Sequence, residues 1–384
     1  MRIAFHSTME GYAWGGSEEL WSRAALRLRE QGVEVHASVK AWPQVPRMLQ
    51  QLIDAGVVVH RRRPVNNRFY MRVLRRRGWI SRDPELDRLR ALAPDLLVVS
   101  LGSNFEAREL IAACRIAGMR YALVNQAVQD VWSPTDAAKT EHRENYEQAT
   151  ACFCLAQSNL RSLQRQLASP LSNARIVRNP FNVPYDARPP WPADDGIVRL
   201  AVVGRLEPYS KAQDLLLEAL AGEKWRQRPV QFLFYGDGPL KGYLRDLARH
   251  YGVTNAIFAG TVDDIPQLWS RHHALVLTSR IEGMSLAAIE AMLCARPCIV
   301  TQVAGCEGEL VQDGLTGFVA AAPTAALIDD ALERAWAQRG RWEEMGRRAA
   351  QHVRTIIPRD PAAEFAASLV ELVSTADRDA RASA

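Results

Sequence analysis

The sequence predicts an α/β protein built from two doubly wound, parallel-sheet domains. Three observations predict it. Strand-like apolar runs alternate with helix-like segments from end to end, the pattern of parallel sheets covered on both faces. The 384 residues suffice for two separate hydrophobic cores. Near the middle, Pro184-Tyr-Asp-Ala-Arg-Pro-Pro-Trp-Pro192 carries four prolines in nine residues, which neither pair in a sheet nor sit inside a helix. That stretch reads as a linker.

In the first half, the strand candidates are Arg2–His6, Glu34–Val39, Val57–His60, Leu96–Ser100 and Tyr121–Val124. The run Ala151-Cys-Phe-Cys-Leu155 and a short one at Arg175–Arg178 follow, the latter just before Asn179-Pro180. Helix Glu18–Gln31 follows the first strand and is stopped by Gly32. Before that helix, Gly15-Gly16 makes a tight turn where small residues let backbone amides approach a ligand. The second half opens with Arg199–Val203, then Val230–Tyr235, Ala256–Ala259 and Ala274–Thr278, each followed by a helical segment. Asp360-Pro361 opens a last helix through Val373, and the small polar residues after it read as a frayed end.

The loops after these second-half strands carry the chemistry. After Arg199–Val203 comes Gly204-Arg-Leu-Glu-Pro-Tyr-Ser-Lys211, then a helix expected over Ala212–Leu220. Arg205 offers a planar fork and Lys211 a point charge, a pairing suited to a diphosphate. Val230–Tyr235 ends in Gly236-Asp-Gly-Pro239, whose glycines are expected to let a ligand near the backbone. After Ala274–Thr278 stands Arg280-Ile-Glu-Gly-Met-Ser-Leu-Ala-Ala-Ile-Glu290, a Glu-x7-Glu spacing. The chain should turn at Gly283 and re-enter a helix near Ser285, whose hydroxyl caps the first turn. Glu282 and Glu290 then flank a positive helix end, an arrangement for a ligand carrying both phosphate and hydroxyls.

With these residues on view, Gly204-Arg-Leu…Lys211…Asp214-Leu-Leu-Leu-Glu-Ala, Gly236-Asp-Gly-Pro, Glu282-Gly-Met-Ser…Glu290-Ala-Met and Gly314-Leu-Thr-Gly-Phe318 resemble the retaining glycosyltransferases of family four, the Glu-x7-Glu type. The resemblance covers roughly Ile197 to Val319; Gly15-Gly16-Ser-Glu18 and Asn179-Pro180 extend it more loosely into the first half. It implies the GT-B fold: two Rossmann-like domains facing across a cleft. The implied division is an acceptor-side domain over 1–183, a linker over 184–195, a donor domain over 196–357 and a flexible tail over 374–384. The helix at 358–373 would return to the first domain.

The resemblance also implies site roles. Arg205 and Lys211 would hold the diphosphate, Glu282 the transferred sugar and Glu290 the ribose. Gly15, Gly16, Gly204, Gly236, Gly238, Gly283, Met284, Ser285 and Leu286 would border the donor, and Val262 the base. The implied reaction is metal-independent transfer of a sugar from a uridine or guanosine diphosphate donor to a hydroxyl acceptor with retention, the leaving phosphate taking the acceptor's proton. Nucleotide sugar would thus be a substrate, with no separate cofactor, and the acceptor a carbohydrate, a lipid-linked sugar or a small molecule in polysaccharide or glycolipid biosynthesis. No Asp-x-Asp, the pattern of metal-dependent sugar transferases, stands at a predicted strand end. Many relatives place a histidine after the strand at Tyr121–Val124. Here Asn125 and Gln126 stand there, and neither amide is a base at neutral pH. Gln126 is the favoured sugar contact, with Asn125 the alternative.

Composition bounds the rest. Hydrophobic content of 48% and charged content of 24% are those of a globular protein, and no apolar run approaches a membrane span. Arg2 enters a strand at once, which leaves no room for a signal peptide and fits a cytoplasmic protein. Six cysteines, Cys114, Cys152, Cys154, Cys294, Cys298 and Cys306, read as reduced core thiols, and Cys152-x-Cys154 has no matching ligand pair for a metal. From His60 to Trp79 the chain carries eight arginines and no acid. A solvated helix over the first domain is the plainer reading of 61–80; contact with an anionic acceptor or the inner membrane surface is the sharper one. A net charge of +5 without a nucleic-acid motif argues against nucleic acid. Trp14, Trp21 and Trp132 could stack on a sugar, though packing is the commoner use. The rival functions are a donor-binding protein of the same fold that has lost transfer, and an epimerase or phosphorylase of that architecture.

Overall fold

Leu96–Leu101 is buried along its whole length, as a strand covered on both faces must be. It is the fourth of seven strands: β1 (Arg2–Ser7), β2 (Glu34–Lys40), β3 (Val58–Arg62), β4 (Leu96–Leu101), β5 (Tyr121–Asn125), β6 (Ala151–Cys154) and β7 (Ala174–Ile176). Their order is β3-β2-β1-β4-β5-β6-β7. All neighbours are parallel. A second sheet contains β8 (Val198–Val203), β9 (Val230–Tyr235), β10 (Ala256–Gly260), β11 (Ala274–Leu277), β12 (Cys298–Thr301) and β13 (Gly317–Ala320), again parallel, in the order β10-β9-β8-β11-β12-β13. This computed structural model describes residues 1–63, 84–303 and 308–382.

In each sheet the strand order reverses once, between β1 and β4 in the first and between β8 and β11 in the second. At such a switch point the loops leave on opposite faces and open a crevice at the strands' carboxyl ends. The second sheet's core is apolar throughout, with Leu200, Phe232, Phe234 and Val276 all at most 2% exposed. The first sheet's core has the same character around Leu97, Val99, Leu123 and Cys152, each fully buried.

The chain divides into two units. One comprises Met1–Leu155, Asn159–Pro180 and Asp360–Ala384; the other Ala156–Ser158 and Phe181–Arg359. The crossing at Pro180–Phe181 precedes the proline-rich stretch expected as a linker, and that stretch packs within the second unit. Tyr185 Oη donates to the carbonyls of Arg354 and Ile357 at 3.1 and 3.0 Å. The Arg296 guanidinium lies 4.8 Å from the Trp191 ring centre and donates to the Pro190 carbonyl. Proline forbids regular structure there, but aromatic and carbonyl contacts still fix the segment. The last helix runs Pro361–Ala382 and counts with the first unit, where Phe365 meets Phe153 edge-on at 5.1 Å. It continues past Val373, where a tail was expected.

Arg62 departs from the solvated reading of the basic stretch. Its guanidinium turns into the ends of the first sheet and donates to the Ser7 carbonyl and, at 3.0 Å, to Ser38 Oγ. Residues 64–80 of that stretch, and Cys306, lie outside the described residues. Among the described residues no helix is long and apolar enough to cross a membrane.

Candidate donor site

The second sheet's switch point brings the two sequence-predicted loops together, because β8 and β11 are neighbours. Four contacts stitch the loop after β8 to the loop after β11. The Arg280 amide donates to the Ser210 carbonyl at 2.7 Å. The Arg280 guanidinium forks onto Asp214 at 3.0 and 2.9 Å, a bidentate geometry that fixes both partners. Thr278 Oγ1 donates to the Ala212 carbonyl at 3.1 Å. Lys211 Nζ donates to Glu282 Oε1, which also accepts from Ser279 Oγ at 2.7 Å.

Lys211 does not sit in an open loop. It ends a one-turn helix, Pro208–Lys211, whose first amides are capped by the Glu207 carboxylate and whose first position is proline. The next helix, Gln213–Ala219, starts only after Ala212 takes a left-handed conformation with φ of 50°. The helix expected over Ala212–Leu220 thus starts one residue later, and the left-handed Ala212 separates it from the short helix that carries Lys211 towards Glu282. Arg205 stands half-exposed in the turn before this helix. Its carbonyl accepts from Gln213 Nε2 at 2.6 Å, which ties the turn to the following helix.

The glycines also have a packing role. A Cβ on Gly236 would lie 2.1 Å from the Gly204 carbonyl oxygen, and one on Gly238 would lie 2.5 Å from that of Leu206. The Gly236 amide already donates to the Gly260 carbonyl at 2.8 Å. These half-buried glycines let one loop's backbone lie against another's, which shapes the site. Gly204 is held the same way, its amide donating to Tyr235 at 3.0 Å.

Ser285 caps helix Leu286–Leu293 as the spacing predicts, accepting from the Ala288 amide at 3.4 Å. The remaining first-turn amides, starting at Leu286, have no acceptor within the helix, which makes this end a seat for an anion. Gly283 and Met284 are both buried, Met284 with only 2% exposure. Glu282 and Glu290 are buried too, at 7% and 4% exposure. Oε1 of Glu290 accepts from both the amide and the side-chain nitrogen of Asn182, each at 3.0 Å. Val262 is half-buried in the turn after β10. The structure thus places Arg205 and Lys211 in the segment after β8, and Glu282, Ser285 and Glu290 in the segment after β11, the last within helix Leu286–Leu293. Sequence reasoning missed Ser279, Arg280, Asp214 and Asn182. Asp214 and Arg280 stood inside quoted motifs but carried no assigned partner, and Asn182 stood in none.

In the first unit, Gly15 caps helix Gly16–Glu30 in an extended conformation, and Glu18 is drawn inward to accept from Ser7 Oγ at 2.9 Å. Burial pushes the Glu18 carboxyl up to about 7, against the pull of the Ser7 hydrogen bond. Asn125 is fully buried and committed: Nδ2 donates to the Phe153 carbonyl at 3.2 Å, and Oδ1 accepts from Tyr146 Oη at 2.8 Å. The reading of Asn125 as a sugar contact is therefore withdrawn; it is the last residue of β5 and points into the core. Gln126 is 5% exposed, its Nε2 reaches Ser100 Oγ at 3.4 Å, and its buried Oε1 has no partner among the described residues. An orphaned buried acceptor is a costly feature that a ligand hydroxyl would satisfy. Trp21 is core, packed 5.8 Å from Phe5, and Trp14 donates to Glu19 at 2.8 Å. Trp132 is 48% exposed.

Residues 198–338 match the family described as Glycosyl transferases group 1, which places the match within the second unit. The D-inositol 3-phosphate glycosyltransferase of Gordonia bronchialis is 32% identical over 162 residues, 39% of this chain and 35% of that protein. Matches to curated relatives thus span about a third of their length. Among solved structures, Anabaena HepE in complex with UDP superposes with a TM-score of 0.74 at 16% identity, covering 97% of this chain and 100% of that one. Sucrose-phosphate synthase from Thermosynechococcus elongatus gives 0.73 at 16%, covering 98% and 100%. The fold is GT-B. Matched segment, relatives and fold together support the group 1 glycosyltransferases.

Proposed function

We propose that this chain is a cytoplasmic, metal-independent retaining glycosyltransferase that takes its sugar from a uridine or guanosine diphosphate donor. The observation that carries the reading is the convergence, at one switch point, of two cations, two buried carboxylates and a capped helix end. Breaking the anomeric bond builds negative charge on the diphosphate and positive charge on the sugar. Arg205, Lys211 and the first-turn amides of helix Leu286–Leu293 face the first. These are preorganised charges whose individual loss typically costs about a hundredfold to a thousandfold in turnover. Glu282 holds the transferred sugar's hydroxyls, and its bonds from Lys211 and Ser279 fix it for that task. Glu290 holds the ribose. The leaving phosphate takes the acceptor's proton, so no histidine is needed where Gln126 stands.

The named function of the Gordonia relative and the bound UDP of the Anabaena protein support the donor class. The acceptor is a carbohydrate, a lipid-linked sugar or a small molecule, in polysaccharide or glycolipid synthesis. Contact of 61–80 with an anionic membrane surface belongs to the same proposal and rests on composition. The test is nucleotide release from a panel of UDP- and GDP-sugars with simple sugar and glycolipid acceptors, with and without excess chelator. Release that survives chelation, with the product's anomeric configuration retained, is expected. Loss with chelator, restored by a divalent ion, would overturn the metal-free mechanism, and strict dependence on inorganic phosphate would identify a phosphorylase.

A further inference from the structure

We infer that Asn182 is a positioning residue for the nucleotide's ribose, acting through Glu290; this rests on the donor-site reading above. Glu282 and Glu290 are both buried carboxylates, yet they are held in different ways. Glu282 is held by a cation, Lys211. Glu290 is held on Oε1 by two neutral donors from a single residue, the backbone amide and side-chain amide of Asn182, each at 3.0 Å. These two donors orient the carboxylate while adding no formal charge of their own. Two donors on one oxygen also fix the plane of the carboxylate, and with it the direction from which a ribose hydroxyl must approach.

The segment that supplies the grip is itself held. Asn182 is exposed, but the next residue, Val183, is 6% exposed, and Tyr185 is bonded through Oη to the Arg354 and Ile357 carbonyls. Backbone and side chain of one residue thus converge on a single buried carboxylate oxygen. Alanine in its place keeps the backbone donor alone. Aspartate keeps the shape, removes the side-chain donor and sets a second negative charge against the first.

The test compares wild type, Asn182→Ala, Asn182→Asp and Glu290→Gln by calorimetry. The probes are UDP and 2′-deoxy-UDP, or GDP and 2′-deoxy-GDP if wild type binds GDP more tightly. A hydroxyl bonded to a charged acceptor separates the two nucleotides by about tenfold or more in wild type. Asn182→Ala should shrink that ratio about three- to tenfold while the deoxy nucleotide binds unchanged, and Asn182→Asp should bring it near one. With donor sugar varied, the Asn182 variants should raise KM more than they lower kcat. A merely structural role would weaken both nucleotides equally and overturn the inference. If Glu290→Gln abolishes the ratio but both Asn182 variants keep it, Asn182 does not position Glu290 and only this inference falls. If Glu290→Gln keeps the ratio, or wild type binds neither nucleotide pair, the ribose assignment falls with it. Thermal unfolding of each variant separates misfolding from lost discrimination.

Discussion

Lys211 and Glu282 lie 71 positions apart in sequence and share a hydrogen bond across the β8–β11 switch point, with Ser279 donating to the same carboxylate oxygen at 2.7 Å. One side chain comes from each of the two loops the sequence singles out. The pair therefore has two roles, holding the loops together and presenting charge to a donor.

The structural role predicts a coupling. The side chains are 21% and 8% exposed, so removing the cation leaves a largely buried carboxylate without its counter-charge. Lys211→Met should destabilise the second unit by about 1–3 kcal/mol, less than the full cost of splitting a wholly buried pair. Adding Glu282→Gln should recover part of that loss. Urea unfolding of the four-member cycle measures it; strictly additive effects would mean the bond carries no stability. Arg205→Ala, on a half-exposed turn, should leave stability within about 0.5 kcal/mol of wild type and lower turnover about a hundredfold or more.

Asn125 and Gln126 are adjacent, and their variants should part company. Asn125→Ala removes a side chain bonded to Phe153 and Tyr146 inside the core and should cost about 2–3 kcal/mol, with Tyr146 Oη left without that acceptor. Gln126→Ala should keep the fold, since its Oε1 has no partner among the described residues to lose, and lower turnover without weakening nucleotide binding. Normal turnover in folded Gln126→Ala would end its role as a sugar contact.

Glu18 makes stability depend on pH in a stated direction. Its folded-state value of about 7 lies above the ordinary 4.5 because burial penalises the charged form. Between those two values the folded carboxyl keeps a proton that the unfolded chain releases. Stability therefore falls as pH rises through that window, reaching a loss of about 3 kcal/mol above it. Glu18→Gln should remove the dependence, gaining on wild type at about pH 8 and not at about pH 4. Unfolding curves at the two pH values decide; an equal difference at both would show that Glu18 titrates normally.

Much of this was legible in the sequence, and the exceptions have physical reasons. Strand-helix alternation marked both sheets, and Ser285 announced its own capping role, because local chemistry sets both. The left-handed turn at Ala212 was not legible: alanine is a strong helix former, and the Thr278 hydroxyl that bonds its carbonyl lies 66 positions away. The packing role of the glycines in Gly236-Asp-Gly238 was not legible either, because the carbonyls of Gly204 and Leu206 that they lie against are supplied only by folding. Asn125 was read as a turn residue because the strand's end was placed one residue early. Asn182 carried no signal, since its partner lies 108 positions away.

The donor assignment requires that the second unit's switch point take a nucleoside diphosphate sugar. Isothermal calorimetry of wild type and Arg205→Ala with UDP-glucose and a GDP-linked hexose tests this directly, without knowing the acceptor. Wild type should bind at least one of them with a Kd in the range of about 1 μM to 1 mM. Arg205→Ala, folded by its thermal transition, should bind it at least about tenfold more weakly. Absence of binding by wild type at millimolar donor, or equal binding by the Arg205 variant, would contradict the assignment.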